Sequence, residues 1–443
     1  MSELPKQWQS VLPHLGHTLP EDVAPPSSGE GVSVNLPMEL VRQSLSQREF
    51  WDIPEPVLEQ YRRYRPTPLW RADAFARAVG ARVPIYVKYE GGNVSGSHKF
   101  NTALAQAYYY RKAGVTELVT GTGAGQWGTA LAAACAWFGL RCTVFMVAGS
   151  LRRKPYRGTL MRLLGATLHE SPSPLTEVGR AVSADRPGNS LSVAIGEAVA
   201  YAAERDGCAF AIGSGETYSI LHQSVVGTEA LDQLGALDAK VDAVVGCVGA
   251  GSNFGGIALP PFAAAVREGR PAPLLLAAES STTPKLTRGV YAYDRTDSAG
   301  RGPMEAMYTV GSEFAIPDSH SAGLRYHGAA KLLSAMRFHG QIAATAVGQA
   351  DALSAAHTFV RTEGVLPAPE SGHALAAAAR LAVDGVRDRD ADHRTTEGVL
   401  VCVSGHGLLD LGAYDQLLAG ELHDEIPDEQ LIRLATANLG RPR

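Results

Sequence analysis

Long apolar runs, basic runs and paired cysteines are all missing from this 443-residue chain. No apolar stretch approaches the roughly 20 residues that a membrane-spanning helix needs. Net charge is -5, and no long lysine or arginine run offers the electrostatic footprint of a nucleic-acid or anionic-membrane partner. The cysteines (Cys135, Cys142, Cys208, Cys247 and Cys402) are scattered, with no Cys-x-x-Cys pair. An odd number without a framework points to a reducing compartment. The first residues are polar and proline-rich, so they do not read as a secretory leader. These absences leave a cytoplasmic globular protein. Hydrophobic residues at 45% and charged ones at 19% agree with that. The length predicts two or three domains with ample core.

What is present alternates. Val83–Tyr89 is rich in β-branched and aromatic residues, with Pro84 at its start, and predicts a strand. Glu117–Thr120, Cys142–Val147, Val241–Val248, Leu274–Ala278, a stretch near Ile342 and Gly398–Val403 predict more strands, with helical spacing between them. Strands alternating with helices predict an α/β fold with mostly parallel sheets. Residues 1 to about 60 read as a proline-rich extension, loosest at Pro25–Gly29. Residues 171–190 and 281–327 read as loops, the second long enough to be functional. The charged tail after Glu421 predicts a surface helix.

One stretch organises the rest: Gly96-Ser97-His98-Lys99-Phe100-Asn101. It places a lysine between a glycine-led turn and a helix, where Ala103, Leu104 and Ala107 recur at helical spacing and Gly114 is the stop. The positive end of a helix dipole disfavours a charged amine, which suits a lysine that must be neutral to react with an aldehyde.

Two glycine loops, Gly121–Gly128 and Gly249–Gly256, follow strands and precede helices, the geometry for cradling anions on backbone N–H groups. Gly123, Gly125 and Gly128 satisfy G-x-G-x-x-G, yet Phe145–Ser150 lacks the carboxylate that a dinucleotide site wants. Arg152 and Arg153 could instead meet a 2′-phosphate, which keeps a nucleotide-dependent oxidoreductase as the last alternative. Phe254 spoils the same pattern in the second loop, and neither loop is a Walker motif. His222, His373 and His406 have no metal-ligand spacing and are assigned structural roles.

Taken together, the chain resembles the tryptophan synthase β-chain family, and within it the longer, second branch. The likeness is carried by RPTPL (65–69), GSHKFNTALAQAYYY (96–110), TGAGQWGTAL (122–131), KPYR (154–157), LHQSVVG (221–227), GCVGAGSNF (246–254), LTRGVYAYD (286–294), GLRYHG (323–328), EGVLPAPESGHA (363–374) and VSGHG (403–407).

The resemblance implies a two-domain fold of the type II pyridoxal-phosphate enzymes. Residues 61–97 and 223–443 would form one α/β domain. Residues 98–222 would form the other, with a mobile substrate-covering segment near 114–217. It implies pyridoxal 5′-phosphate as cofactor, a monovalent cation whose ligands are not legible, and a homodimer. It leaves the need for an α-type partner subunit open. The substrates are an amino-acid donor and a small nucleophile. Lys99 would be the Schiff-base lysine, with His98 beside the cofactor phosphate and Asn101 close by. Gly249, Ala250, Gly251, Ser252 and Asn253 would hold that phosphate. Gly121, Thr122, Gly123, Ala124, Gly125, Gln126 and Trp127 would bind the substrate carboxylate, with Gln126 and Glu370 near the ring. Ser404 would face the pyridine nitrogen. A neutral hydroxyl there makes the ring a weaker electron sink, which favours prompt loss of a β-leaving group.

Gly121 is a departure, because the family has a catalytic glutamate immediately before TGAGQ. Losing a positioned acid/base typically costs about 10²–10⁴ in rate. The gap was expected to open space beside the reactive carbon. Three readings follow: a donor with a better leaving group than hydroxide, a larger or more acidic nucleophile, or a substitute acid. Glu216 is the candidate acid, against the alternative of a solvent-facing glutamate. The expected activity is β-replacement giving a specialised aryl-alanine. Ordinary tryptophan synthesis is the runner-up, and a catalytically weakened partner subunit is a further alternative.

Overall fold

The computed structural model describes residues 3–24, 36–182, 191–296, 303–384 and 396–442. The Pro25–Gly29 run lies outside them.

Two parallel sheets carry the molecule. In chain order their strands are β1 (Leu69–Arg71), β2 (Ile85–Tyr89), β3 (Glu117–Thr122), β4 (Arg141–Val147), β5 (Thr167–Ser171), β6 (Cys208–Phe210), β7 (Ala243–Cys247), β8 (Leu274–Ser280), β9 (Ala343–Val347) and β10 (Val399–Val403). The larger sheet runs β9-β8-β7-β10-β2-β1, all parallel except that β1 is antiparallel to β2. The smaller runs β5-β4-β3-β6, all parallel. The chain leaves the large sheet after β2, builds the small one, and returns at β7. Every residue of β7 and β10 is buried, as central parallel strands covered on both faces require.

Seven helices position the site: α1 (Lys99–Lys112), α2 (Gln126–Phe138), α3 (Pro155–Leu163), α4 (Leu191–Ala203), α5 (Thr217–Ala236), α6 (Ser252–Arg267) and α7 (Pro369–Asp384). Helix α2 begins three residues before the expected Thr129, because Gly125 at φ +87° turns the chain directly into it. The turns after β3, β7 and β10 converge at the C-terminal ends of the strands, where open α/β sheets bind ligands.

Two stretches are more ordered than their composition suggested. Among the described residues of the first 60, several are anchored to the rest of the fold. Gln7–Gln9 pairs with Phe50–Asp52, Trp8 and Leu40 are fully buried, and the Gln9 N–H donates to Ser224 Oγ on α5 at 2.8 Å. Apolar anchors outweigh the proline content there. Residues 281–327 are not all loop. Val290–Arg295 pairs antiparallel with Met304–Thr309, burying Ala292 and its cross-strand partner Met307 on one face. The tail does form a helix, Glu429–Thr436, whose Ile432 packs inward.

A dehydrated ion network joins the elements under α1. Arg65 binds Glu90 at 2.9 Å and Glu229 at 2.8 Å, and Lys88 binds Glu229 at 2.9 Å, with these side chains fully buried. Two cations meet two carboxylates, so the charges cancel.

Candidate active site

Lys99 opens α1 from a turn held to the end of β10. The His98 N–H donates to the Ser404 carbonyl at 2.9 Å, and the His406 N–H donates to the Gly96 carbonyl at 3.0 Å. Gly96 sits at φ +71° with His406 directly beneath it, so no side chain fits there. Lys99 lines a partly open cavity with about 420 Å³ of free space, together with Ser97, His98, Gln126, Ser214, Cys247, the loop 249–253, Gly323, Leu324, Glu370, Ser404 and Gly405. Burial pulls the lysine amine below its ordinary range, Glu370 and Cys247 oppose this, and Arg157 adds to it.

His98 is neutral at physiological pH, since burial and then the neighbouring Lys99 push it down to about 3. Its Nδ1 lies 3.2 Å from the Ser404 carbonyl and its Nε2 lies 3.3 Å from Ser252 Oγ. A neutral ring donating from Nδ1 leaves Nε2 to accept the serine hydroxyl. The ring therefore orients Ser252 at the start of α6.

The loop 249–253 is a cradle built from close approach. Gly251 sits at φ +128°, and a Cβ there would meet Leu333 Cδ1 at 2.2 Å. A Cβ on Gly249 would meet the Gly323 carbonyl at 2.4 Å. Ala250 is buried, and its carbonyl accepts the Ala330 N–H at 2.7 Å. Backbone N–H groups at the start of the 16-residue α6 are thus left for an anion. Ser404 Oγ lies 2.8 Å from Ser371 Oγ, and Ser371 also accepts the Ser404 N–H at 3.0 Å. Glu370 clamps the far side, accepting the Gly323 N–H at 2.9 Å and the Gln126 amide at 3.1 Å.

The structure brings together Lys99, His98, Gln126, Gly249, Ala250, Gly251, Ser252, Asn253, Glu370 and Ser404 around one cavity. Asn101 is not among its lining residues. The Asn101 side chain donates to Glu90 and Gln223 and accepts from Arg65 and Tyr64. Of residues 121–127 only Gln126 lines the cavity. Trp127 donates to Thr120 Oγ1 at 2.7 Å and packs under Gly213. Gly121 opens no space, contrary to expectation, because α4 fills it. A Cβ on Gly121 would stand 2.5 Å from the Ala194 carbonyl carbon and the Ile195 nitrogen. Glu216 precedes α5 and does not line the cavity. Burial and then the charge of Asp22 hold its carboxyl above the usual range, with Lys331 opposing. It belongs to a group with Asp22, Glu305 and Lys331.

Sequence reasoning gave no role to Ser371, Cys247, Gly323 or Arg157. All four lie in stretches that carry the resemblance (GCVGAGSNF, GLRYHG, EGVLPAPESGHA and KPYR), which was the available signal, but only tertiary contacts give each a place at the site. Among the described residues no group of three His, Cys, Asp or Glu could hold a metal ion, and no helix is long and apolar enough to cross a membrane.

A half-buried lysine on the cavity wall, a glycine cradle at a helix N-terminus, and a serine at the neighbouring strand end form a site that fits pyridoxal phosphate. With this fold they define a type II pyridoxal-phosphate enzyme. The family model "Pyridoxal-phosphate dependent enzyme" matches residues 61–394. The chain is 43% identical over 441 residues to "Tryptophan synthase beta chain 2" of Thermococcus kodakarensis, covering 96% of this chain and 97% of that one. It is 43% identical over 442 residues to the protein of the same name from Aeropyrum pernix, covering 97% and 96%. In the fold alone it resembles the processed form of threonine deaminase isoform 2 from Solanum lycopersicum, with TM-score 0.60 at 16% identity, covering 91% of this chain and 97% of that one. The chain belongs to the tryptophan synthase β-chain family of pyridoxal-phosphate-dependent lyases.

Proposed function

We propose that this enzyme replaces the β-substituent of a serine-like amino acid with an aromatic nucleophile, giving an aryl-alanine in specialised metabolism. Bound pyridoxal phosphate supplies the electron sink, and the protein supplies position and proton handling. Lys99 is the residue that would hold the cofactor through its aldehyde, and its amine is the group at hand to take and return the α-proton. The start of α6 receives the phosphate, with His98 orienting Ser252. The turn Gly123–Gln126 receives the substrate carboxylate at the start of α2. Ser404, fixed by Ser371, would face the pyridine nitrogen with a neutral hydroxyl. Overall, the bond from the β-carbon to its substituent breaks with the electron pair leaving on the substituent, the nucleophile's carbon or heteroatom bonds to the β-carbon, and the proton the nucleophile gives up balances the one the departing substituent takes.

The observation that carries the specialised reading is Gly121 under α4. The resemblance puts a glutamate at this position, and here helix backbone stands in its way. Glu370 is the one carboxylate among the lining residues, and its two oxygens already accept Gly323 and Gln126. Among the described lining residues no carboxyl is left unpaired to help hydroxide depart. A donor with a better leaving group, or a nucleophile as acidic as a phenol, fits that chemistry. Ordinary tryptophan synthesis is favoured by one separate observation, the 43% identity over nearly the whole chain.

The test is product analysis of cofactor-loaded protein with L-serine and indole, then with phenols and with O-acetyl- and O-phospho-L-serine. Aryl-alanine from the activated donors or phenols, at rates well above that of tryptophan formation, is expected. Tryptophan at ordinary enzymatic rates from L-serine and indole would sink the specialised reading. A visible absorbance band lost on borohydride treatment, without any product, would favour a partner subunit. A homodimer is part of the same proposal.

A further inference from the structure

Behind the first glycine loop, three buried charged side chains do not cancel. Lys154 Nζ and an Arg157 Nη both bind Asp410, at 2.5 and 2.7 Å, with side-chain exposures of 7% and 2% against 0% for the carboxylate. Two cations share one anion, so one net positive charge is left in a place with little water. Lys154 Nζ has a further partner in the His320 carbonyl at 3.2 Å. The buried Arg157 Nε–H has no partner among the described residues. Such a charge is costly unless an anion completes the site.

The surplus lies against the substrate side of the cavity. A Cβ on Gly125 would stand 3.1 Å from Arg157 Cδ. Arg157 also acts on Lys99 and on His406, lowering both. The phosphate cradle starts at Gly249, in the turn after β7 of the other sheet. Gly125 instead belongs to the turn that leads into α2.

We infer that Arg157 is a positioning residue that, through the net positive charge it makes with Lys154 and Asp410, selects an amino acid with a free α-carboxylate. The turn supplies directional N–H donors, and the buried cluster supplies long-range attraction in a low dielectric. This inference rests on reading the site as one for α-amino acids.

The test compares dissociation constants of holoenzyme for L-serine and L-serinamide, read from the visible absorbance change. Arg157→Gln is expected to weaken L-serine by about tenfold or more and to leave L-serinamide within about twofold. Arg157→Lys should recover most of the loss. Asp410→Asn, which adds to the surplus charge, should tighten L-serine. A merely structural cluster would have Arg157→Gln and Asp410→Asn weaken both ligands in parallel, and that result overturns the inference. If Asp410→Asn yields no soluble protein, the serine-to-serinamide ratio in the two Arg157 variants decides alone. A wild-type holoenzyme that responds to no α-amino acid would overturn the parent reading and this inference together, an outcome distinct from normal binding with an unmoved ratio.

Discussion

Gly121 and Ala194 meet backbone to backbone. Their contact seats α4 on the end of β3, and a Cβ on Gly121 would approach the Ala194 carbonyl oxygen to 2.6 Å. Backbone cannot swing aside as a flexible side-chain end can, so any larger residue must move the helix. Gly121→Ala should destabilise the protein by about 1–3 kcal/mol, the usual cost of overpacking. Gly121→Glu should cost more and should not raise turnover with L-serine. Thermal melts with limited proteolysis of the α4 segment would check this. A Gly121→Glu variant with unchanged melting and faster tryptophan formation would mean that α4 yields easily, and that the missing acid is the only deficit.

Lys99 is the one lysine among the described residues of the cavity wall. Lys99→Met keeps the helix and removes the amine. Turnover should fall by at least about 10², and borohydride should no longer fix cofactor to the chain. Peptide mapping of reduced wild-type enzyme should find the added mass on the peptide containing Lys99. Label on Lys285 or Lys154 instead would reassign the site.

Arg65 holds two buried carboxylates at once, donating to Glu90 and Glu229 and also to Asn101 Oδ1 at 2.8 Å. Replacing it with methionine leaves Lys88 to face both acids. Breaking a buried network this way costs about 3–5 kcal/mol. The denaturation midpoint of Arg65→Met should drop accordingly, with cofactor affinity in the surviving folded fraction nearly unchanged. A large loss of cofactor affinity without loss of stability would instead place the network in the site, through Asn101 and α1.

Much of this was legible because local rules and tertiary needs agreed. Lys99 between a glycine turn and a helix, and a strand running into Gly249–Asn253, are read directly from neighbouring residues. What the sequence did not make legible depended on partners far along the chain. Asn101 is two residues from Lys99, yet on a helix that rotates it about 200°, toward Arg65 and Gln223. Gly121 read as empty space until α4, some 70 residues later, was seen to occupy it. Glu216 sits in a loop that resembles a pocket wall, but its charge neighbours Asp22 and Glu305 come from the N-terminal stretch and from a hairpin that composition alone had marked as loop.

That carboxylate group makes stability depend on pH with a definite sign. Burial first, then Glu216 and Asp22, push Glu305 up to about 8, while Lys331 opposes. Unfolded, the same carboxyl titrates near 4.5. Between those values the folded state binds more protons than the unfolded one, so stability falls as pH rises and the whole penalty is present above about 8. Glu305→Gln removes the ionisation and keeps the shape. It should raise the melting temperature by about 2 °C or more near pH 9 and leave it nearly unchanged near pH 5. Lys331→Met should do the reverse, lowering stability at high pH, because Lys331 is the cation opposing the group and is ion-paired with Asp22. Melting curves of both variants at the two pH values would decide it. Equal shifts at both would mean that packing governs these positions, and that the carboxylates there do not share a proton.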